Sequence, residues 1–137
     1  MAGIVPNEGE AVSLENTFKN ASPEAFLLKL FSNAATLANS NTSASFTECA
    51  ISGYAAASVS RASFGAAVAG SPSYIQCSSG QTFSFTGSGT VYGYYLVGAT
   101  SGKVYIAETM YAAGKAVNSG DSITVTPKIY YGSVTND

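Results

Sequence analysis

Between residues 82 and 86 the chain reads Thr82-Phe83-Ser84-Phe85-Thr86, a strict alternation of hydroxyl and phenyl side chains. Successive side chains of a strand point to opposite faces of a sheet, so Phe83 and Phe85 share one face and the hydroxyls the other. The pattern fits a strand with one face in a core and one in water. Two longer apolar runs, 90–97 and 103–109, flank the loop Gly98-Ala99-Thr100-Ser101-Gly102. A short Gly-bounded loop between two such runs predicts a β-hairpin.

Other segments follow the same logic. The run Ala25-Phe26-Leu27-Leu28-Lys29-Leu30-Phe31 is short for a helix and stops at Ser32-Asn33, which predicts a largely buried strand. Residues 34–45, rich in Asn, Ser, Thr and Ala without periodicity, read as a surface loop, and further strands are expected at 46–51, 53–60, 62–68 and 73–77. In 122–131, Ile123, Val125, Ile129 and Tyr131 fall on one face with Pro127. Proline cannot donate a ladder hydrogen bond, so this strand should lie at an edge or bulge near Pro127. Asn118-Ser119-Gly120-Asp121 supplies the turn before it.

The helix candidate is 8–20. Leu14 and Phe18, four apart, share an apolar face that Val12 does not reinforce, and Glu8, Glu10 and Lys19 suit the helix dipole. So short a helix is stable only when docked. The expectation is therefore an all-β fold, a β-sandwich or jelly-roll with a short N-terminal arm or helix. The arm would occupy 1–20 and the β-sandwich domain 21–137.

Composition narrows the chemistry. The 137 residues include nine tyrosines and seven phenylalanines but no histidine, no tryptophan, and only six basic and eight acidic residues. Without histidine, Ser-His-Asp and Cys-His mechanisms are excluded. Glu48 and Glu108 are the only carboxylates inside expected strands. Two carboxylates about 5 to 10 Å apart could hydrolyse a glycosidic bond, but pairing with lysine or amide, or simple hydration, is the plainer reading. The acidic group Glu8, Glu10 and Glu15 lacks the spacing of a calcium loop, and Gly87-Ser88-Gly89 lacks the rest of a dinucleotide fingerprint. No metal, cofactor or catalytic residue is expected.

Lys19, Lys29, Arg61, Lys103, Lys115 and Lys128 are dispersed, and the net charge is −2, which argues against nucleic-acid binding. No apolar run reaches the length of about 18 residues needed to cross a bilayer, and residues 1–6 lack the features of a secretory signal, so synthesis is expected in the cytoplasm. Cys49 and Cys77 could be bonded if their strands adjoin. A cytoplasmic origin favours two reduced, buried thiols.

Tyr92, Tyr94, Tyr95, Tyr105, Tyr111, Tyr130 and Tyr131 crowd the second half of the chain. Tyrosine joins a large contact area to a polar tip, which suits protein interfaces and sugar stacking, although about half should pack inside a sandwich. Alternation sets Tyr92 and Tyr94 opposite Tyr95.

Five strings, MAGIVPNEGE at 1–10, AFLLKLFSN at 25–33, SFTECAISGYAA at 45–56, VYGYYLVGATSGKVYIAE at 91–108 and NSGDSITVTPKI at 118–129, resemble a family of small virion proteins of tailed bacteriophages. These are capsid decoration, or cement, proteins, cyanophage members among them. The chain departs from the family pattern at Arg61-Ala62-Ser63-Phe64, where a tryptophan-containing string is common. The resemblance implies a non-enzymatic β-module on the capsid surface, with the major capsid protein as partner and repeated copies of itself as neighbours. It implies no direct contact with nucleic acid or membrane. Residues 2–20 are the candidate contact segment, and Leu14, Phe18, Tyr95 and Tyr131 the candidate partner-binding side chains. The alternative is a phage tail receptor-binding or carbohydrate-binding β-module.

Overall fold

The computed structural model describes residues 3–19, 23–70 and 72–131. Among the described residues one helix, α1 (Asn7–Phe18), precedes ten strands: β1 (Phe26–Phe31), β2 (Ala57–Val59), β3 (Ser73–Gln76), β4 (Gln81–Ser84), β5 (Gly89–Val91), β6 (Gly93–Gly98), β7 (Val104–Thr109), β8 (Lys115–Val117), β9 (Ser122–Val125) and β10 (Lys128–Tyr131). The fold is all-β, as the alternating segments require.

Pairing is antiparallel throughout and nested about the loop between β6 and β7. That hairpin is flanked in turn by β5 with β8, β4 with β9 and β3 with β10, like one long hairpin folded over on itself. A long antiparallel hairpin folded over into packed sheets is the jelly-roll solution for such a chain. Strands β1 and β2 then extend the central hairpin into a four-stranded sheet of order β2-β1-β6-β7.

The central sheet is covered on both faces, and all six residues of β6 are buried. Leu28, Leu30, Leu96 and Ile106 point to one side, where Phe83, Phe85, Val91, Val117, Ile123 and Val125 of the outer ladders complete the main core. Removing each large aliphatic side chain from water contributes about 2 kcal/mol. The other side holds a smaller cluster of Phe31, Phe46, Tyr95, Val97, Val104 and Ala107. Phe83 and Phe85 are thus inside, and Thr82, Ser84 and Thr86 outside.

Several expectations are corrected. Residues 46–51 touch β1 through one bridge, Phe31 with Glu48, and form no strand. Residues 53–60 contain only β2, and 62–68 contain a 3₁₀ turn (Arg61–Ser63) followed by single bridges at Phe64 and Val68. The expected strand 90–97 is cut at Tyr92, whose carbonyl accepts from the amides of Met110 (3.0 Å) and Tyr111 (2.9 Å). This interruption resets the alternation: Tyr92 packs with Tyr95, and Tyr94 lies on the opposite side. Segment 122–131 divides at Pro127 into β9 and β10, which pair with different partners; the Pro127 carbonyl accepts from Cys77 N at 3.0 Å. Ile123, Val125, Pro127 and Ile129 are buried as expected, but Tyr131 is exposed. Strand β8 was not expected. In the turn before β9, Gly120 adopts φ 92°, a conformation that L side chains rarely take.

The N-terminal segment expected as an arm is docked on its own sheet. Ile4 exchanges both backbone hydrogen bonds with Ala107, at 2.8 and 2.9 Å, and α1 packs along β7. Among the described side chains of α1, Val12 is the buried large hydrophobic, 5% exposed, whereas Leu14 is 60% exposed, the reverse of the face expected from sequence. Glu8 does more than complement the helix dipole: its Oε1 accepts from Val104 N at 2.8 Å. The side chain of Phe18 lies outside the described residues, as do 20–22 at the expected boundary between arm and domain.

Candidate functional site

The hairpin β6–β7 carries a bulge between Leu96 and Val97, opposite Tyr105. An extra residue on one strand shifts the side-chain alternation, and Tyr105 joins the main core beside Ile106 instead of facing away from it. Its ring meets Phe26 edge-on, with centroids 4.8 Å apart, and Phe26 meets Phe64 in the same manner at 5.5 Å. Edge-on pairs set the positive rim of one ring against the negative face of the next.

The Tyr105 hydroxyl accepts from Asn16 Nδ2 at 2.5 Å and donates to Glu24 Oε1 at 2.9 Å. The Glu24 carboxylate also accepts from the amides of Thr100 (2.9 Å) and Ser101 (2.8 Å) and from Ser101 Oγ (2.6 Å). Burial alone would raise the Glu24 pKa. The donors, Ser101 foremost, outweigh it and hold the carboxyl below its ordinary value. Burial, followed by the hydrogen bond and charge of Glu24, pushes Tyr105 up to about 12, so its hydroxyl stays protonated at neutral pH.

Arg61 enters from the 3₁₀ turn. Its Nε donates to the Glu24 carbonyl at 2.6 Å, and its guanidinium lies 4.7 Å from the Phe26 ring centroid. Such a cation–π contact adds to the hydrogen bond in holding the guanidinium in place.

These groups surround a cleft of about 290 Å³ between α1 and the β-domain. Ser13, Asn16 and Thr17 of α1 form a polar wall. Phe26, Phe64, Tyr105 and Tyr131 supply aromatic lining, with Ile75 and Ile129 beside them, and Arg61 is the one charged residue among the described lining. A second cleft, also about 290 Å³, shares Asn16 and is lined by Val12, Glu15, Glu24, Thr100, Ser101 and Lys103. Concave sites that mix apolar walls with a few fixed polar groups are the usual form of small-ligand sites.

No family model, curated protein or solved structure matches this chain.

Of the residues singled out in the sequence, Leu14 is exposed on α1 and Tyr131, 45% exposed, lines the cleft. Tyr95 is corrected: at 3% exposure it stacks on Phe46, centroids 5.0 Å apart, and is not available to a partner. Burial and then the charge of Glu48 push its hydroxyl up to about 12. Glu48 and Glu108 have structural partners. Glu48 pairs with Lys29 at 3.1 Å and accepts from the Tyr54 hydroxyl at 3.1 Å, while Glu108 accepts from the Tyr94 hydroxyl at 2.9 Å. Burial raises the pKa of Tyr54 and of Tyr94, and the adjacent carboxylate raises each further. Cys49 and Cys77 are free thiols, both buried.

Asn16, Glu24, Arg61, Phe64 and Tyr105 were not anticipated as a group. Their contacts span up to 89 positions, and no local motif marks them.

Proposed function

We propose that this chain is a non-enzymatic virion structural protein, a capsid cement protein that binds the outer surface of a major capsid protein lattice and stabilises the DNA-filled head. The observation that carries the reading is the succession of five cement-like strings between residues 1 and 129, in an all-β chain. The exposed face of α1 adds to it. Leu14 stands out from a helix whose buried side is held on the sheet by Val12, so an apolar side chain is presented on a rigid support. Tyr131 offers a second exposed contact on the β-domain.

A ligand that binds only the assembled lattice stabilises it by mass action, and weak contacts repeated by symmetry accumulate. No proton transfer or covalent step is required. Neighbouring copies on the lattice would lie close enough to touch one another, and the chain would be made in the host cytoplasm before assembly.

The test compares purified capsids with and without the protein under heating and osmotic shock. Capsids lacking it should keep their shape but release DNA at lower temperature. Equal stability of the two preparations removes the cement reading. A few copies at the tail, instead of many over the head, would favour a receptor-binding module.

A further inference from the structure

We propose that the cleft between α1 and the β-domain binds one saccharide ring. A pyranose has an apolar C–H face and a rim of hydroxyls, and the cleft offers a counterpart to each. Phe64 and Tyr131 present aromatic surface, while Ser13 and Arg61 supply polar groups beside it. Its volume, about 290 Å³, lies just below the range of small-ligand sites, roughly 300 Å³ upward, and suits a single ring more than an extended chain.

The polar lining discriminates among ligands. An aromatic or aliphatic side chain from a partner would fill the volume but would cover Ser13 and Arg61 without supplying acceptors, a cost that hydroxyl groups avoid. An inorganic anion could meet Arg61 but would leave the aromatic surface unused. Arg61 spends Nε on the Glu24 carbonyl, and its terminal amino groups make no hydrogen bond among the described residues. A guanidinium can therefore still donate to a ligand hydroxyl or carboxylate.

The walls are also fixed in advance. Glu24 and Asn16 hold Tyr105, and Phe26 together with the Glu24 carbonyl holds Arg61. Ligand binding then orders few side chains, which lowers its entropic cost. The inference does not rest on the cement role, because it concerns the isolated protein.

The test is a titration of the full-length ¹⁵N-labelled protein with methyl β-glucoside, methyl β-galactoside, N-acetylglucosamine and glucuronate, followed by amide shifts. At least one sugar should give saturable shifts centred on Ser13, Arg61, Phe64 and Tyr105, with Kd on the order of 1 mM. Tyr131→Ala, at an exposed position, should weaken that binding about tenfold while the rest of the spectrum is retained. Ser13→Ala provides a second variant at the opposite wall and should also weaken it. The proposal is overturned if none of the four sugars saturates, if the shifts lie away from the cleft, or if both variants bind as the parent does.

Discussion

The Tyr105 hydroxyl donates to Glu24 Oε1 at 2.9 Å across 81 positions of sequence. Through that contact the bulged strand β7 is tied to the segment leading into β1. The same carboxylate holds the loop between β6 and β7 by the amides of Thr100 and Ser101. Asn16 brings α1 into the network from the other side of the tyrosine oxygen. Helix, hairpin loop and the start of the central sheet are thus joined at one partly buried acid.

Replacing Glu24 with alanine should cost about 2 kcal/mol, because hydrogen bonds to a charged group are stronger than neutral ones and the tyrosine and amide donors lose their acceptor. The folded-state pKa of Glu24 is lowered from 4.5, so its stabilisation is fully present above that value and is lost as pH falls through the folded pKa. Urea unfolding at neutral and acidic pH should show a smaller acid-dependent loss in Glu24→Gln than in the parent. An identical pH dependence in the two proteins would contradict this assignment.

Glycine to alanine in a helix normally stabilises by about 1 kcal/mol. Gly9→Ala should do the opposite, since a Cβ there would collide with the Val104 carbonyl oxygen and crowd that of Tyr105. Forcing the two elements apart should cost about 1–3 kcal/mol. Thermal unfolding followed by circular dichroism checks the sign, and a higher melting temperature would show that α1 is not seated on β7 as described.

Cys49 and Cys77 lie in the main core, and burial raises both thiol pKa values, with the charge of Glu48 adding to the effect at Cys49. The native protein should react slowly with a thiol reagent at mildly alkaline pH and completely once unfolded. Changing both to alanine should cost about 1 kcal/mol each through lost packing. A Cys49–Cys77 bond at full occupancy in nonreducing mass analysis of the purified protein would oppose the free-thiol description.

Leu14→Gln keeps a good helix former at an exposed site, so folding stability should change by no more than about 0.5 kcal/mol. If the outer face of α1 meets the capsid, occupancy of the variant on capsids stripped of the protein should fall well below that of the parent. Quantitative electrophoresis of decorated particles measures this. Unchanged occupancy would move the contact to another surface.

The strands most legible in the sequence are those in which local pattern and burial agree. Phe83 and Phe85 needed only a period of two, and the Gly98-to-Gly102 loop marked the β6–β7 hairpin. The helix was visible, but its buried face was not. Leu14 and Phe18 outweighed Val12 as a local apolar pair, whereas the close approach of Gly9 to β7 orients α1 with Val12 inward. Strand β8 is three residues, Lys-Ala-Val, too short and polar to signal itself, and exists because β5 pairs with it. The break at Tyr92 arises from amides of the chain beyond β7, so no window around Tyr92 could reveal it. Glu24 and Arg61 meet across 37 positions for a similar reason: tertiary folding, not spacing, assembles the cleft.

Ile4 and Ala107 have a consequence for behaviour at high concentration. An open strand edge is a template on which a second molecule can add its own backbone. Here the outer border of β7 is occupied from within, by Ile4 opposite Ala107 and by the Glu8 carboxylate at the Val104 amide. Crowded copies therefore cannot polymerise by strand addition along that border without first detaching their own N-terminal segment. Proteolytic trimming ahead of α1 would uncover the Ala107 backbone groups, while the Glu8 carboxylate of α1 would still cover the Val104 amide.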